Sequence, residues 1–199
     1  MRCSHCATGH YQKGGRCNVC GEVFIPAGKP FPIEMKAVVV EACDEKLIDD
    51  LMRLEAVCFL DLDHEDFNRE YYQELLESED TISIFLEAEG ERVGCLILIP
   101  HNQAIKELED DDPGIASDPA RFYVETVEIL PEFQGQSGLT LMLESLKKYG
   151  VRKVSLHARV NNDFSAKIQK KLKAVKVRRI ESWPYYEDRG PTDYIEGSL

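Results

Sequence analysis

From Glu34 onward the hydrophobic residues recur with a period that switches repeatedly between two and about 3.6, which restricts the chain to a mixture of strands and helices. "MKAVVVEA" is a β-branched run and a strand candidate. Asp44 is placed to cap a helix in which Leu47, Leu51, Leu54 and Cys58 share a face. "HEDFNREYYQELLES" predicts a second helix, with acids at its positive end. "TISIFLEA" and "RVGCLILI" read as strands, and Glu89-Gly90-Glu91 makes a hairpin the natural link. Residues 101–120 form a long acidic insertion with no period of their own. "RFYVETVEIL" is the next strand, followed by a helix with Leu139, Met142, Leu143 and Leu146 on one face. "VRKVSLHARV" alternates as a strand, and "NNDFSAKIQKKLKA" predicts a helix capped by Asn161 or Asn162. "VRRIESWPYY" and "TDYIEGSL" are the closing strand candidates. The order β-α-α-β-β-β-α-β-α-β-β predicts an α/β (α+β) fold: a mixed, partly antiparallel sheet flanked by helices.

The seven cysteines divide the chain. Cys3, Cys6, Cys17 and Cys20 form C-x2-C-x10-C-x2-C, while Cys43, Cys58 and Cys95 are scattered through apolar surroundings. Each C-x-x-C turn aims two thiolates at one point, so four close a tetrahedral zinc site with Zn–S near ~2.3 Å. With no open coordination position, the expected zinc is structural. So small a segment has little apolar matter to bury, and metal binding can supply ~10–16 kcal/mol. The proline-containing stretch "GEVFIPAGKPFPIEMK" then reads as a connector. The expected division is a zinc ribbon over 1–30 and an α/β domain over 31–199.

The net charge of −12 argues against general affinity for nucleic acid or anionic membrane. No apolar run approaches the roughly 20 residues needed to span a bilayer, and the first residues lack the apolar core of a signal peptide. A cytoplasmic location is expected, where thiols stay reduced. The charge is uneven. Twelve of the 24 Lys and Arg residues lie between Lys147 and Arg179, with Asp163 the only acid among them. This basic segment directly follows the stretch "LPEFQGQSGLTLML". A strand end, a tight polar loop and a helix start of that kind suit phosphate, because a helix N-terminus offers several N–H groups and about half a positive charge.

The strand–loop–helix "VEILPEFQGQSGLTLML", in this order of elements, resembles the GNAT superfamily of acyl-CoA-dependent N-acetyltransferases over roughly residues 34–199. The family carries Q/R-x-x-G-x-G/A at this loop, where backbone amides hold the pyrophosphate of coenzyme A. Pro131, Phe133, Gln134 and Gly135 match that lead-in, whereas Ser137 and Leu139 stand where the two motif glycines belong. The resemblance implies acetyl-CoA as cofactor, held by Ile129, Leu130, Gln134, Gly135, Gln136, Ser137, Gly138, Leu139 and Thr140. The family's Asn-x-x-Ala/Ser is matched by Asn162 and Ser165 on the next helix, near the pantetheine arm. The family's tyrosine acid is replaced by Gln169, which leaves Tyr185, Tyr186 or Tyr194 as candidate acids, and its Gly-Phe ending is Lys173-Ala174 here. Arg159, Lys167, Lys170 and Lys171 are candidate phosphate contacts.

Transfer by direct attack of an amine on the thioester requires removal of a proton, since a lysine-type amine has a pKa of ~10.4. Amides of the fourth strand would meet the charge developing on the carbonyl oxygen. Glu125 and Glu128 lie on that strand, three positions apart and hence on opposite faces if it is regular. Glu125 matches the family's acid and is the expected base, with Glu128 and Tyr186 the other catalytic candidates. The expected acceptor is an amine on a protein or peptide, a small amine or an aminoacyl-tRNA. The contrasting expectation is a silent GNAT-fold protein that engages protein or RNA through the ribbon and the basic face.

Overall fold

The computed structural model describes residues 33–40, 42–59, 69–108, 110–160, 164–181 and 191–199. The expected zinc ligands Cys3, Cys6, Cys17 and Cys20 lie outside the described residues, as do Asn161, Asn162, Tyr185 and Tyr186. The elements are β1 (Lys36–Val40), α1 (Glu45–Cys58), α2 (Arg69–Glu77), β2 (Ile82–Ala88), β3 (Glu91–Pro100), α3 (His101–Leu108), β4 (Arg121–Ile129), α4 (Gly138–Tyr149), β5 (Lys153–Arg159), α5 (Phe164–Lys171), β6 (Lys176–Ile180) and β7 (Thr192–Ser198). The strands form a mixed sheet in the order β1-β2-β3-β4-β5-β7-β6. The α/β class and the order of strands agree with the periodicity. Helix α3 is the addition, inside the stretch whose acids made it read as loop.

By compactness the chain falls into two units, which share out residues of β2, β3, β4 and α4. The first has its described residues within 33–79, 83–96 and 127–142. β1 runs antiparallel to β2, Val38 opposite Phe85. The link from β2 to β3 is the two-residue turn Glu89-Gly90, both at positive φ (54° and 84°), as a tight hairpin demands. Asp44 caps α1, its Oδ1 accepting from Leu47 N at 2.7 Å. Leu47, Ile48, Leu51 and Leu54 give α1 a buried stripe, and Tyr72 and Leu75 do the same for α2. Under Tyr72 the core turns polar. Its hydroxyl donates to Glu55 Oε2 at 2.8 Å, and burial first, then Glu55, pushes the phenol far up.

The second unit comprises 80–82, 97–126 and 143–199. β4 and β5 are parallel, paired from Arg121↔Lys153 to Tyr123↔Ser155. β7 lies between β5 and β6 and is antiparallel to both, placing Tyr194 opposite His157 and Arg178. Side-chain alternation makes the two sheet faces differ. Val154, Leu156, Ala158 and Ile195 are buried on one of them with Ile168 and Leu172 of the α5 segment. Gly197 lets that segment close in, since a Cβ there would stand 2.7 Å from the Leu172 carbonyl oxygen. The other face carries Arg121, Tyr123, Ser155, His157, Tyr194, Glu196 and Arg178, a polar set tied together and to the 101–120 insertion.

Candidate active site

The loop after β4 is built by its own side chains. Leu130 N donates to Val93 O at 2.9 Å, and a single 3-10 turn, Pro131–Phe133, buries Pro131 and Phe133. Gln134 Nε2 donates to Ile129 O at 2.8 Å. Gln136 is buried, accepts from Ile33 N at 3.0 Å and donates to Glu132 O at 2.9 Å. Both glutamine side chains thus scaffold the loop, and their backbones are what a ligand would meet. Ile129 is half-buried and Leu130 buried. Gly135 and Ser137 are exposed and take left-handed φ of 76° and 70°. Ser137 thus adopts a left-handed backbone conformation that favours glycine. Left-handed residues in such a turn aim backbone N–H groups into one concavity, an arrangement that receives anions.

Gly138, one position earlier than the motif requires, has a separate task. A Cβ on it would lie 2.6 Å from Leu86 Cδ2 and 3.3 Å from Ile129 Cδ1, so the start of α4 lies close against side chains of β2 and β4 that would have to yield to a larger residue. Leu139 and Thr140 are half-buried, and the buried stripe of α4 begins at Met142. The first α4 bond runs from Leu141 N to Ser137 O, so the preceding amides have no acceptor within the helix. The loop thus leads into the N-terminus of a 12-residue helix, the kind of end that can receive an anion. In the same unit Glu128 is 1% exposed, and its charge is felt by Tyr72 and Cys95.

In the second unit the β4–β5 register ends at Tyr123↔Ser155, although β4 continues through Val124–Thr126 and β5 to Arg159. Beyond that pair the two strands part. Tyr123 Oη reaches across to His157 Nδ1 at 3.0 Å, and His157 Nε2 meets Asp112 Oδ2 at 3.0 Å. Arg178 Nη2 donates to both oxygens of Asp112. Burial alone would raise the Asp112 pKa, but the bonds from His157 and Arg178 outweigh it and lower it to about 2. Burial lowers His157 against the raising pull of Asp112, so the imidazole is neutral near pH 7. The proton positions follow. Asp112, an anion, can only accept, so His157 carries its hydrogen on Nε2. Nδ1 is then a lone pair, and Tyr123 donates to it. A phenol oxygen can also accept a proton, so a proton reaching Tyr123 could displace its own toward Nδ1.

Glu125 is half-buried two positions beyond Tyr123 on β4. Tyr194 is fully buried, donates to Glu196 Oε1 at 3.1 Å and is pushed up first by burial, which keeps its phenol protonated. Ser165 is 2% exposed and donates to Asp193 Oδ2 at 2.5 Å, while Gln169 Nε2 donates back to Ser165 Oγ at 2.9 Å. These α5 side chains knit the helix to β7. Arg159 is half-buried, and Lys167, Lys170 and Lys171 are exposed. Sequence reasoning did not single out Tyr123, His157 and Asp112. The only signal available was a tyrosine two residues before Glu125 on the same side of a strand.

The Acetyltransferase (GNAT) family profile matches residues 48–172, more than half of the chain. No curated protein matches it. Among solved structures, the ribosomal-protein-S18-alanine N-acetyltransferase from Escherichia coli is similar at 12% identity and a TM-score of 0.56, over 82% of this chain and 94% of that one. Arabidopsis thaliana NAA60 in complex with acetyl-CoA is similar at 16% identity and 0.56, over 83% and 99%. The aminoglycoside 6'-acetyltransferase type Ii is similar at 14% identity and 0.55, over 81% and 96%. At these identities the likeness is one of fold. On the family match, the chain belongs to the acetyltransferase (GNAT) family.

Proposed function

We propose that the protein transfers an acetyl group from acetyl-CoA to an amine acceptor by direct attack. The observation that carries the reading is the opening between β4 and β5 with a hydrogen-bonded proton path, Tyr123–His157–Asp112, across its apex. Acetyl-CoA, when bound, supplies the activated acetyl thioester. The amides of the 135–139 loop would receive its pyrophosphate. Main-chain amides of β4 are the groups expected to meet the charge growing on the carbonyl oxygen. As the C–N bond forms, the amine proton passes to Tyr123 Oη and the phenol proton to His157 Nδ1. By the reverse path His157 and Tyr123 would return a proton to the thiol product. Glu125, on the same side of β4 as Tyr123, is retained as the competing base.

The reading is tested by following thiol release from acetyl-CoA against peptides, polyamines, aminoglycosides and charged tRNA. Activity with at least one acceptor is expected. Absence of binding at millimolar acetyl-CoA would sink the enzymatic reading, and binding without turnover would leave a silent GNAT-fold protein. Tyr123→Phe is expected to lower kcat by ~10²-fold with the KM for acetyl-CoA little changed. Should Glu125→Gln do that instead, the proton path belongs to Glu125. The N-terminal cysteines are part of the same proposal: Cys3, Cys6, Cys17 and Cys20 hold one structural zinc over residues 1–30, ahead of a catalytic domain over 31–199. Freshly purified protein should then carry one zinc per chain, and a content well below that refutes the site.

A further inference from the structure

The 101–120 insertion does more than cover the sheet. α3 places His101 with Nδ1 accepting from Ser155 Oγ at 2.8 Å and Nε2 donating to Ala116 O at 3.0 Å. Asn102 Oδ1 accepts from Ser117 Oγ and Asp118 N, and Asp118 pairs with Lys153 at 3.1 Å and Arg121 at 3.3 Å. These bonds hold the turn that carries Asp112, which is 3% exposed although it comes from the most acidic stretch of the chain. A carboxylate is not driven under cover without a partner, and here the partners are His157 and Arg178.

Resting on the acetyl-transfer reading above, we propose that Asp112 is a positioning residue for that reaction. Through His157 it selects the imidazole tautomer and raises its basicity, so the seated insertion completes the proton path to Tyr123. Among the described residues, the groups facing His157 are Tyr123 from β4, Tyr194 from β7 with ring centroids 5.1 Å apart, Arg178 from β6 and Asp112 from the insertion. Glu196 touches Tyr194 and is itself tied to Arg121 at 3.2 Å and Lys176 at 3.0 Å. Among the described residues two full charges, Asp112 and Arg178, act closely on the imidazole, and they act in opposite senses. Asp112 favours the imidazolium formed when the amine proton arrives, and Arg178 opposes it. Without Asp112, either ring nitrogen could carry the hydrogen, and the Nδ1–H form cannot accept from Tyr123.

The opposite signs give the test. The pH dependence of kcat/KM is measured for the full chain and for Asp112→Asn and Arg178→Gln, using an acceptor that the wild type acetylates. Asp112→Asn is expected to lower kcat by ~10²-fold, leave the KM for acetyl-CoA within ~3-fold, and move the acid limb to lower pH. Arg178→Gln is expected to move that limb to higher pH. A merely structural role would not shift the limb in two directions. Limbs moving the same way, or an Asp112→Asn rate within ~3-fold of wild type, overturn the proposal while leaving acetyl transfer intact. A wild type that acetylates nothing sinks the parent reading and this one together. Should Asp112→Asn fail to fold, 15N NMR of wild-type His157 decides: a neutral Nε2–H ring near pH 7 is required, and an Nδ1–H ring refutes it.

Discussion

Two glycines close to the loop, Gly94 and Gly138, separate a backbone contact from a side-chain contact at the same distance. A Cβ on Gly94 would stand 2.6 Å from Glu128 O and 3.2 Å from Ile129 Cα, both main-chain atoms. A Cβ on Gly138 would also meet its nearest neighbour at 2.6 Å, but that neighbour is Leu86 Cδ2, a methyl that can rotate. For Gly94→Ala, restoring an ordinary contact near 3.4 Å requires β3 and the end of β4 to separate by about 0.8 Å. The adjoining Leu130 N···Val93 O bond of 2.9 Å would then lengthen past ~3.5 Å and cease to be a hydrogen bond. Overpacking of this kind costs about 1–3 kcal/mol and the lost bond about 1, so a loss of about 2–4 kcal/mol is expected. Gly138→Ala should stay within about 1 kcal/mol of wild type, because the leucine can yield and alanine is the better helix former. Urea unfolding at 25 °C reads the difference. With a slope of about 1–3 kcal/mol/M, Gly94→Ala should move the midpoint down by ~1 M or more. Equal losses for the two variants, or a Gly94→Ala midpoint indistinguishable from wild type, would refute the distinction between backbone and side-chain crowding.

Ser137 at φ 70° pays roughly 1–2 kcal/mol for a left-handed L-residue, partly offset in glycine by chain entropy, so Ser137→Gly should stabilise by about 0.5–1 kcal/mol and Ser137→Val should destabilise. Thermal unfolding checks this, and a more stable valine variant would contradict it. Asp112 has a folded pKa of about 2 against an ordinary 3.8, so its contribution is present above pH ~4 and is lost as the pH falls through 2. That amounts to about 2 kcal/mol, and a stability–pH curve should lose this acid limb in Asp112→Asn. Tyr72→Phe removes the donor to Glu55 Oε2 in a buried setting and should cost about 1–3 kcal/mol by chemical unfolding. A cost near zero would mean that solvent replaces the hydroxyl.

Much of the fold was legible because local period and burial coincide. The buried stripe of α1, the alternation of β5 and the glutamate–glycine hairpin are all readable within ten residues of chain. α3 was not, because His101 and Ala104 supply its only buried pair and the acids that follow outweigh them in composition. The loop was legible as a loop, but not its backbone. The residue type at 137 argued against a glycine-like conformation, which the chain adopts all the same. The proton path was the least visible part. Tyr123 and His157 are 34 positions apart and His157 and Asp112 are 45 apart, so no spacing rule connects them. A lone histidine in a strand reads first as packing. Its meaning depends on which carboxylate the insertion brings over it, and that is decided by tertiary contacts alone.

The strand order of the second unit bears on how the chain can be made. β6 pairs with β7 and β5 pairs with β7, so the earlier-synthesised β6 has to leave room for a strand not yet produced. On a ribosome, β5 and α5 would emerge while the neighbour that completes them is still absent, with Leu156, Ala158 and Ile168 uncovered on one side. The register from Lys153↔Ser198 to Arg159↔Thr192 can form only after Ser198 is free of the exit tunnel. Closure of this half of the sheet therefore waits for β7, however early β5 and α5 are made. Until then β5 and β6 lack their shared neighbour, and the lysines and arginines they carry disfavour edge-to-edge pairing.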